Sequence, residues 1–338
     1  CEPSRIAPFL LGFPAEDRLY SGLSLTHANA QVITLGTSLV NAIPCVLSRR
    51  FSKSRLWDIT RKYSCTSFTL LGGMTTAVYA EPPRPDDADN PVRTVISAGM
   101  PAAIWNEFRT RFGVDVHEFY GAAEGGLTGN PPGVGPVGSI GKPIPTFVHR
   151  IVDEDGNDVA PDANGERVGE LLFRHRDGSP YVVEYLGQPD ASEQKCAGGW
   201  LHMGDVVRED ADGWLYFLYR KGNGIRRNGE FIATPYIEKA IAELPEVDDV
   251  YVYGIPAASG VPGEKDVVAA VVPKVPDLAA FDVQRLFRAC RERLEPNFVP
   301  TYVQLLHVIP KTASEKPQDR FLVEAFHADP GAVHVEAR

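Results

Sequence analysis

Thr94-Val95-Ile96-Ser97-Ala98-Gly99, then Ala102 to Phe112, then Val116 to Tyr120 read in succession as strand, helix and strand. Thr94, Val95 and Ile96 are β-branched, and stiff side chains of that kind suit a pleated surface. Ala98-Gly99 ends the strand. Ile104, Phe108 and Phe112 then recur four apart, which lays one apolar stripe along a helix. Two strands joined by a helical connection pair in parallel, with the helix packed on the sheet. The same alternation extends toward the N-terminus. Ser67 to Leu71 reads as a buried strand. Before it, Leu56, Ile59 and Tyr63 mark a helix that Ser52 or Ser54 can cap. Further back lie the apolar run Ile43 to Leu47 and a helix from His27 to Asn41. Residues 1–129 therefore predict a parallel α/β sheet domain that Val116–Tyr120 closes.

The pattern changes beyond residue 130. Gly and Pro cluster between Pro131 and Pro145, and short strands follow at Phe147–Val152, Gly169–Arg174 and Gly213–Tyr219. Turn signals at Asp155-Gly156 and Asp212-Gly213 separate them, as in a small antiparallel barrel over 130–219. A third pattern fills 220–338. A capped helix over Pro235–Leu244, strands at Val247–Gly254 and Val267–Val272, and a helix over Asp282–Arg293 make an α+β module. The fold class expected is thus multi-domain α/β: a partial parallel sheet domain, a small β-barrel and an α+β C-terminal domain, with a hinge near 220–222.

Composition narrows the function classes. The 338 residues carry 34 Lys+Arg against 44 Asp+Glu, a net charge of −10, which disfavours a nucleic-acid partner. Hydrophobic residues at 43% and charged ones at 23% exclude a disordered chain. No run of about 18 apolar residues predicts a membrane span. Five scattered cysteines without a Cys-x-x-Cys fit a reduced, cytoplasmic protein better than a disulfide scaffold or zinc site. No secretory leader opens the sequence, and Cys1 in place of Met suggests that its natural beginning is missing.

Three motifs fail on context. Gly133-Val134-Gly135-Pro136-Val137-Gly138 has dinucleotide-fingerprint spacing, but its prolines leave no strand before it and no helix after it, so it predicts a loop. Gly22-Leu23-Ser24-Leu25-Thr26 lacks the final glycine of a nucleophile elbow. The eight histidines show no His-Glu-x-x-His spacing.

Five other segments survive in order: Ile96 to Pro101; Phe119-Tyr120-Gly121-Ala122-Ala123-Glu124-Gly125; Gly199 to Asp205; Tyr219 to Glu230, with Arg220 and Gly229; and Pro310 to Lys316. In order and spacing, over nearly the whole chain, they resemble the adenylate-forming superfamily of acyl-CoA synthetases, luciferases and peptide-synthetase adenylation domains. The form Phe-Tyr-Gly-Ala-x-Glu-Gly looks closest to the carnitine-CoA ligase and fatty-acid-transport-type branches.

The resemblance implies a ligase that joins a carboxylic acid to ATP as an acyl-adenylate and passes the acyl group to coenzyme A or a carrier-protein thiol. It implies that Gly99, Met100 and Pro101, with Tyr120, Gly121 and Ala122, line the adenine pocket, Tyr120 offering a ring face to the base. Asp205 would accept from both ribose hydroxyls, with Arg220 beside them and Gly229 nearby. Glu124 would hold Mg²⁺, for which a hard carboxylate oxygen is suited. Lys316, on a C-terminal lid, would stabilise charge at the α-phosphate. His27, in Leu25-Thr26-His27-Ala28, is similar to a family histidine beside the acyl carboxylate; a core or capping histidine is its other reading.

The departures from the family are also specific. No Ser/Thr/Gly-rich phosphate loop ending in Pro-Lys occurs in the sequence, Ala123 and Met203 replace threonines, and Gly222 stands at the hinge position. The chain is therefore expected to be a fragment or a shortened homologue. The alternative functions are AMP or acyl-adenylate binding without full ligase activity, and a non-catalytic interaction protein. A homo-oligomer or an N-terminal partner chain could cover an open sheet edge.

Overall fold

The computed structural model describes residues 2–221, 225–228, 230–232, 234–261, 264–312 and 317–336. The chain divides into two compact units, Cys1–Lys221 and Gly222–Arg338.

The first unit begins with α1 (Glu2–Leu11) and β1 (Leu19–Ser21). A π-helical segment (Asn29–Gly36) then runs into α2 (Thr37–Asn41), followed by β2 (Cys45–Leu47), α3 (Leu56–Tyr63), β3 (Ser67–Leu71) and α4 (Gly72–Tyr79). Next come β4 (Thr94–Ala98), α5 (Ala102–Phe112), β5 (Asp115–Ala122), β6 (Gly125–Asn130) and β7 (Lys142–Pro143). Among the described residues these strands form one sheet in the order β2-β1-β3-β4-β5-β6-β7. Pairings from β2 through β5 are parallel, and β6 and β7 add antiparallel. Side chains alternate across it: Phe68, Leu70, Val95 and Val116 meet Trp57 of α3 and Phe108 and Phe112 of α5 on one face. Leu19 and Ile96 meet Ala7, Leu11 and Phe13 on the other.

The strand–helix–strand unit stands at the expected positions, with two corrections around it. Val116–Tyr120 does not close the sheet, because β5 continues to Ala122 and folds back into β6. Neither Ser52 nor Ser54 caps α3. Arg55 holds the N-cap position without a side-chain bond, and the two serine hydroxyls face each other at 3.4 Å. The buried positions of α3 are Leu56, Trp57 and Thr60, while Tyr63 is exposed.

A second sheet completes this unit where a small barrel was expected. It comprises β8 (Phe147–Val152), β9 (Arg167–His175), β10 (Leu201–Glu209) and β11 (Leu215–Arg220), with α6 (Pro189–Lys195) between β9 and β10. The strands are antiparallel in the order β11-β10-β9-β8, and Leu215 bridges to Gly141. Phe147, Ile151, Leu171, Phe173, Leu201, Met203 and Val207 fill its core. The glycine-rich 131–139 segment is loop and turn, as its prolines dictate.

In the second unit a hairpin of β12 (Arg226–Arg227) and β13 (Glu230–Phe231) precedes α7 (Thr234–Ala242), β14 (Val247–Pro256), β15 (Lys265–Pro273), α8 (Val283–Arg293), β16 (Tyr302–Leu305), α9 (Asp319–Ala328) and β17 (Val333–Val335). The sheet order is β14-β15-β16-β17. β15 is buried on both faces, so it reads as a continuous apolar run: Val267, Ala269 and Val271 pack with α7 and α8, and Val268 and Ala270 with Leu322 of α9. Asp282 caps α8 by accepting from the Arg285 N–H at 2.9 Å.

Candidate active site

In parallel α/β sheets the carboxyl ends of the strands form the open edge at which side chains and loop backbone converge. In the first unit the end of β5, the turn that follows it, the middle of β10 and the end of β11 bring four of the sequence-predicted residues, Tyr120, Glu124, Asp205 and Arg220, into contact or electrostatic reach. The Tyr120 hydroxyl donates to Asp205 Oδ2 at 2.5 Å. Asp205 pairs with Arg220 across the β10–β11 ladder, and the Arg220 guanidinium lies 3.8 Å from Oδ1. Gly204, with φ +73°, sits where the β10 register shifts between His202 and Val206. A backbone irregularity of that kind re-aims the next side chain. Burial raises the Asp205 carboxyl above its ordinary range, and the Tyr120 hydrogen bond and Arg220 pull against that rise.

Glu124 lies in the turn between β5 and β6. Its Oε1 accepts from the Tyr185 hydroxyl, and its backbone carbonyl accepts from the Tyr181 hydroxyl at 3.1 Å. Burial would raise this carboxyl, but Tyr185, the local backbone N–H, Lys195 and Arg220 outweigh it and hold it below the usual glutamate value. Glu124 is therefore an ionised hard-oxygen donor. Among the described residues no cluster of three or more His, Cys, Asp or Glu is arranged to hold a metal ion. A single carboxylate suits an ion that takes its remaining ligands from substrate oxygens and water, the habit of Mg²⁺.

The glycines of this turn are steric requirements. A Cβ on Gly125 would lie 1.7 Å from the Tyr181 hydroxyl, and one on Gly126 would meet Met203 Sδ at 2.8 Å. Met203, which replaces a threonine of the family pattern, is buried and fills the space that Gly126 leaves. Gly121 is less confined, since the atom nearest a built Cβ is Leu127 Cδ2 at 2.4 Å, the end of a flexible side chain.

Gly99, Met100 and Pro101 form the turn between β4 and α5. Gly99 has φ +107°, and Pro101 is the N-cap of α5. Ala122 and Ala123 continue from β5 into the Glu124 turn. His27 stands apart in sequence; its Nδ1 accepts from the Asn29 N–H at 3.1 Å, just before the π-helical segment whose N-cap is Ala28. Gly229 and Lys316, and Gly222 at the expected hinge, lie outside the described residues.

Several neighbours of the site were not found from sequence. Glu118 is buried, and its two oxygens accept from the Gly99 and Met100 N–H groups at 2.5 and 3.0 Å. Its signal was available, since an acid in phase with Val116 and Tyr120 on a buried strand must have a polar partner. Tyr181 and Tyr185 gave no such signal, because they reach Glu124 from a segment with no regular period. Lys221, beside Arg220, is anchored to β9 through Glu170 at 2.8 Å, and His202 contacts the same carboxylate at 3.4 Å.

The chain matches known proteins along most of its length. Residues 5–178 match the family model for AMP-binding enzymes, and residues 236–316 match that for the AMP-binding enzyme C-terminal domain. The chain is 33% identical over 314 residues to a medium/long-chain-fatty-acid–CoA ligase, FadD17, of Mycobacterium marinum, covering 92% of this chain and 60% of that protein. It is 31% identical to human long-chain fatty acid transport protein 1, over 90% of this chain and 50% of that one. The chain thus spans half to three fifths of the length of these curated relatives. Among solved structures, the anthranilate CoA ligase AuaEII with anthranoyl-AMP shares the fold at TM-score 0.76 and 22% identity, over 98% of this chain and 63% of that one. The o-succinylbenzoate CoA synthetase of Bacillus subtilis, in complex with its acyl-adenylate intermediate, is 25% identical at TM-score 0.72, over 94% and 63% of the two chains.

Proposed function

Because the chain belongs to the AMP-binding enzyme family, we propose that it serves the ATP-dependent activation of a carboxylic acid and the transfer of the acyl group to the thiol of coenzyme A. In the first step an acid oxygen attacks the α-phosphorus of ATP. The new O–P bond forms as the α–β anhydride breaks, and pyrophosphate leaves. In the second step the thiol sulfur bonds to the acyl carbon, AMP leaves with the oxygen, and the thiol proton passes to solvent or a base. Relatives named as fatty-acid ligases and fatty acid transport proteins favour an aliphatic acid.

The observation that carries this reading is the Tyr120–Asp205–Arg220 cluster beside the ionised Glu124. Asp205, held by Tyr120 and Arg220, has the acceptor capacity to take two vicinal ribose hydroxyls. Tyr120 presents a ring to the base, a contact that depends on shape and polarisability. Glu124 would hold Mg²⁺, which would offset phosphate charge when bound. Lys316 and Gly229 are assigned to the lid and His27 to the acyl side on the family pattern alone. Cytoplasmic residence remains part of the proposal; among the described residues no helix is long and apolar enough to cross a membrane.

The test is calorimetric binding of AMP to this chain and to Asp205→Ala. Loss of two charge-assisted hydrogen bonds should weaken AMP by roughly 100-fold or more. A folded Asp205→Ala protein that binds AMP as the unsubstituted chain does would overturn the reading.

A further inference from the structure

Glu118 is 2% exposed, and it sits two residues before Tyr120 on the same face of β5. Each of its oxygens accepts from a different backbone donor, Oε1 from Gly99 N–H at 2.5 Å and Oε2 from Met100 N–H at 3.0 Å. Two consecutive N–H groups turned toward one side chain require two acceptors in a row. The two oxygens of a carboxyl group supply them, whereas glutamine offers one oxygen and an amide nitrogen that only donates. The amide of Asn130, opposite Glu118 on β6, is already committed, donating to the carbonyls of Pro136 and Ser139.

The same turn is fixed from its other side. Gly99 has φ +107°, and a Cβ built there would lie 3.2 Å from the Gly72 Cα, so the turn after β4 touches the start of α4 backbone to backbone. Pro101 then fixes the entry to α5 with φ −63°. The turn is therefore held between the Gly72 backbone and the Glu118 carboxylate. Burial pushes that carboxyl up to about 8 against the pull of the two N–H groups, so this brace opposes a real desolvation cost.

We propose that Glu118 is a positioning residue for nucleotide binding, fixing Gly99, Met100 and Pro101 in the conformation that forms the base-facing wall of the site. The proposal rests on the reading of these three residues as adenine-pocket residues given above. Glu118 does not touch the nucleotide; it acts through the turn. A carboxylate that served only to hold the fold together would change melting temperature without changing nucleotide affinity.

The experiment measures AMP binding and thermal melting for the chain, Glu118→Gln and Glu118→Ala, with Asp205→Ala in parallel. Glutamine is isosteric and keeps one acceptor, so it carries the test if the alanine protein does not fold. The expected result is graded: AMP weakened about tenfold in Glu118→Gln and further in Glu118→Ala, with the melting temperature of the glutamine protein close to that of the unsubstituted chain. AMP affinity within twofold of the original in a folded Glu118→Gln protein would overturn the proposal. If Asp205→Ala abolishes binding in that same series, the AMP-site reading survives and only the role of Glu118 is lost. If the unsubstituted chain binds no AMP, the reading and the proposal fall together.

Discussion

Each unit braces its backbone with a carboxylate on which burial acts strongly, yet the two braces end in different places. In the first unit Glu118 accepts from Gly99 and Met100, in a turn at the carboxyl ends of parallel strands. In the second, Glu238 of α7 accepts from the Val252 N–H at 3.0 Å, in the body of β14. Burial pushes the first up to about 8 and the second to about 7, where Asp249 adds to the rise after the Val252 bond has opposed it. The same device thus fixes a loop geometry at an open edge in one unit and docks a helix on a sheet in the other. A local hydrogen-bond pattern does not reveal function; the location of its far end does.

Four outcomes would break or sharpen that contrast. The largest concerns packing at the open edge. Gly125→Ala places a Cβ against the Tyr181 hydroxyl at a φ of +124° and should destabilise the first unit by about 3–5 kcal/mol. Gly260→Ala in the second unit, with nothing within 4 Å, should cost only about 1–2 kcal/mol of backbone strain. Denaturant midpoints that fell equally for both would erase the difference in packing.

The second outcome is acid sensitivity. Burial holds His117 neutral, lowering its pKa from 6.5 to about 4 although the Leu11 backbone opposes the shift. The unfolded chain therefore binds the extra proton first, and stability falls as pH drops through 6.5 toward 4, by about 3 kcal/mol in all. Glu118 and Glu238 act in the opposite sense. Their folded pKa values lie above 4.5, so the stability they contribute is present below that pH and is lost as pH rises toward 8 and 7 respectively. His117→Gln should flatten the acid limb of a urea-midpoint profile, and Glu238→Gln the limb between 4.5 and 7. An unchanged profile in either variant would remove that group from the account.

Third, Glu238→Ala leaves the Val252 N–H without its acceptor and should destabilise the second unit by about 2 kcal/mol while AMP affinity stays the same. A matching loss of AMP affinity would collapse the contrast with Glu118. The smallest effect is expected at Tyr185. Tyr185→Phe removes a hydrogen bond that lowers the Glu124 pKa, so an NMR titration should find that carboxyl raised. No rise would mean that the local backbone N–H, Lys195 and Arg220 keep Glu124 ionised without Tyr185.

Much of the framework was legible because burial is written into residue type. Ala102–Phe112 occupies its expected span because Ile104, Phe108 and Phe112 recur at the helical period, and Phe147–Val152 does so because a turn signal at Asp155-Gly156 follows its aromatic and β-branched residues. Other elements left a fainter trace. α4 consists of Gly-Gly-Met-Thr-Thr-Ala-Val-Tyr, a poor intrinsic helix former, with Met74, Thr75 and Val78 buried against the sheet. β10 carries no clear strand signature in the sequence, because Gly204 and a register shift interrupt its alternation. The cap of α3 is not legible from the serines before it, since two nearby serine hydroxyls can face each other as readily as a helix terminus.

The sequence by itself determined that the chain is acidic and multi-domain α/β, and that five ordered segments resemble those of an AMP-binding enzyme. Composition, periodicity and short spacing are properties of neighbouring residues along the chain. Only the tertiary structure decided that Tyr120 meets Asp205 across 85 positions, that Tyr185 reaches Glu124 across 61, and that Glu118 holds the turn at Gly99. Those contacts depend on how one strand end is placed beside another, and the packing of the two sheet faces fixes that placement.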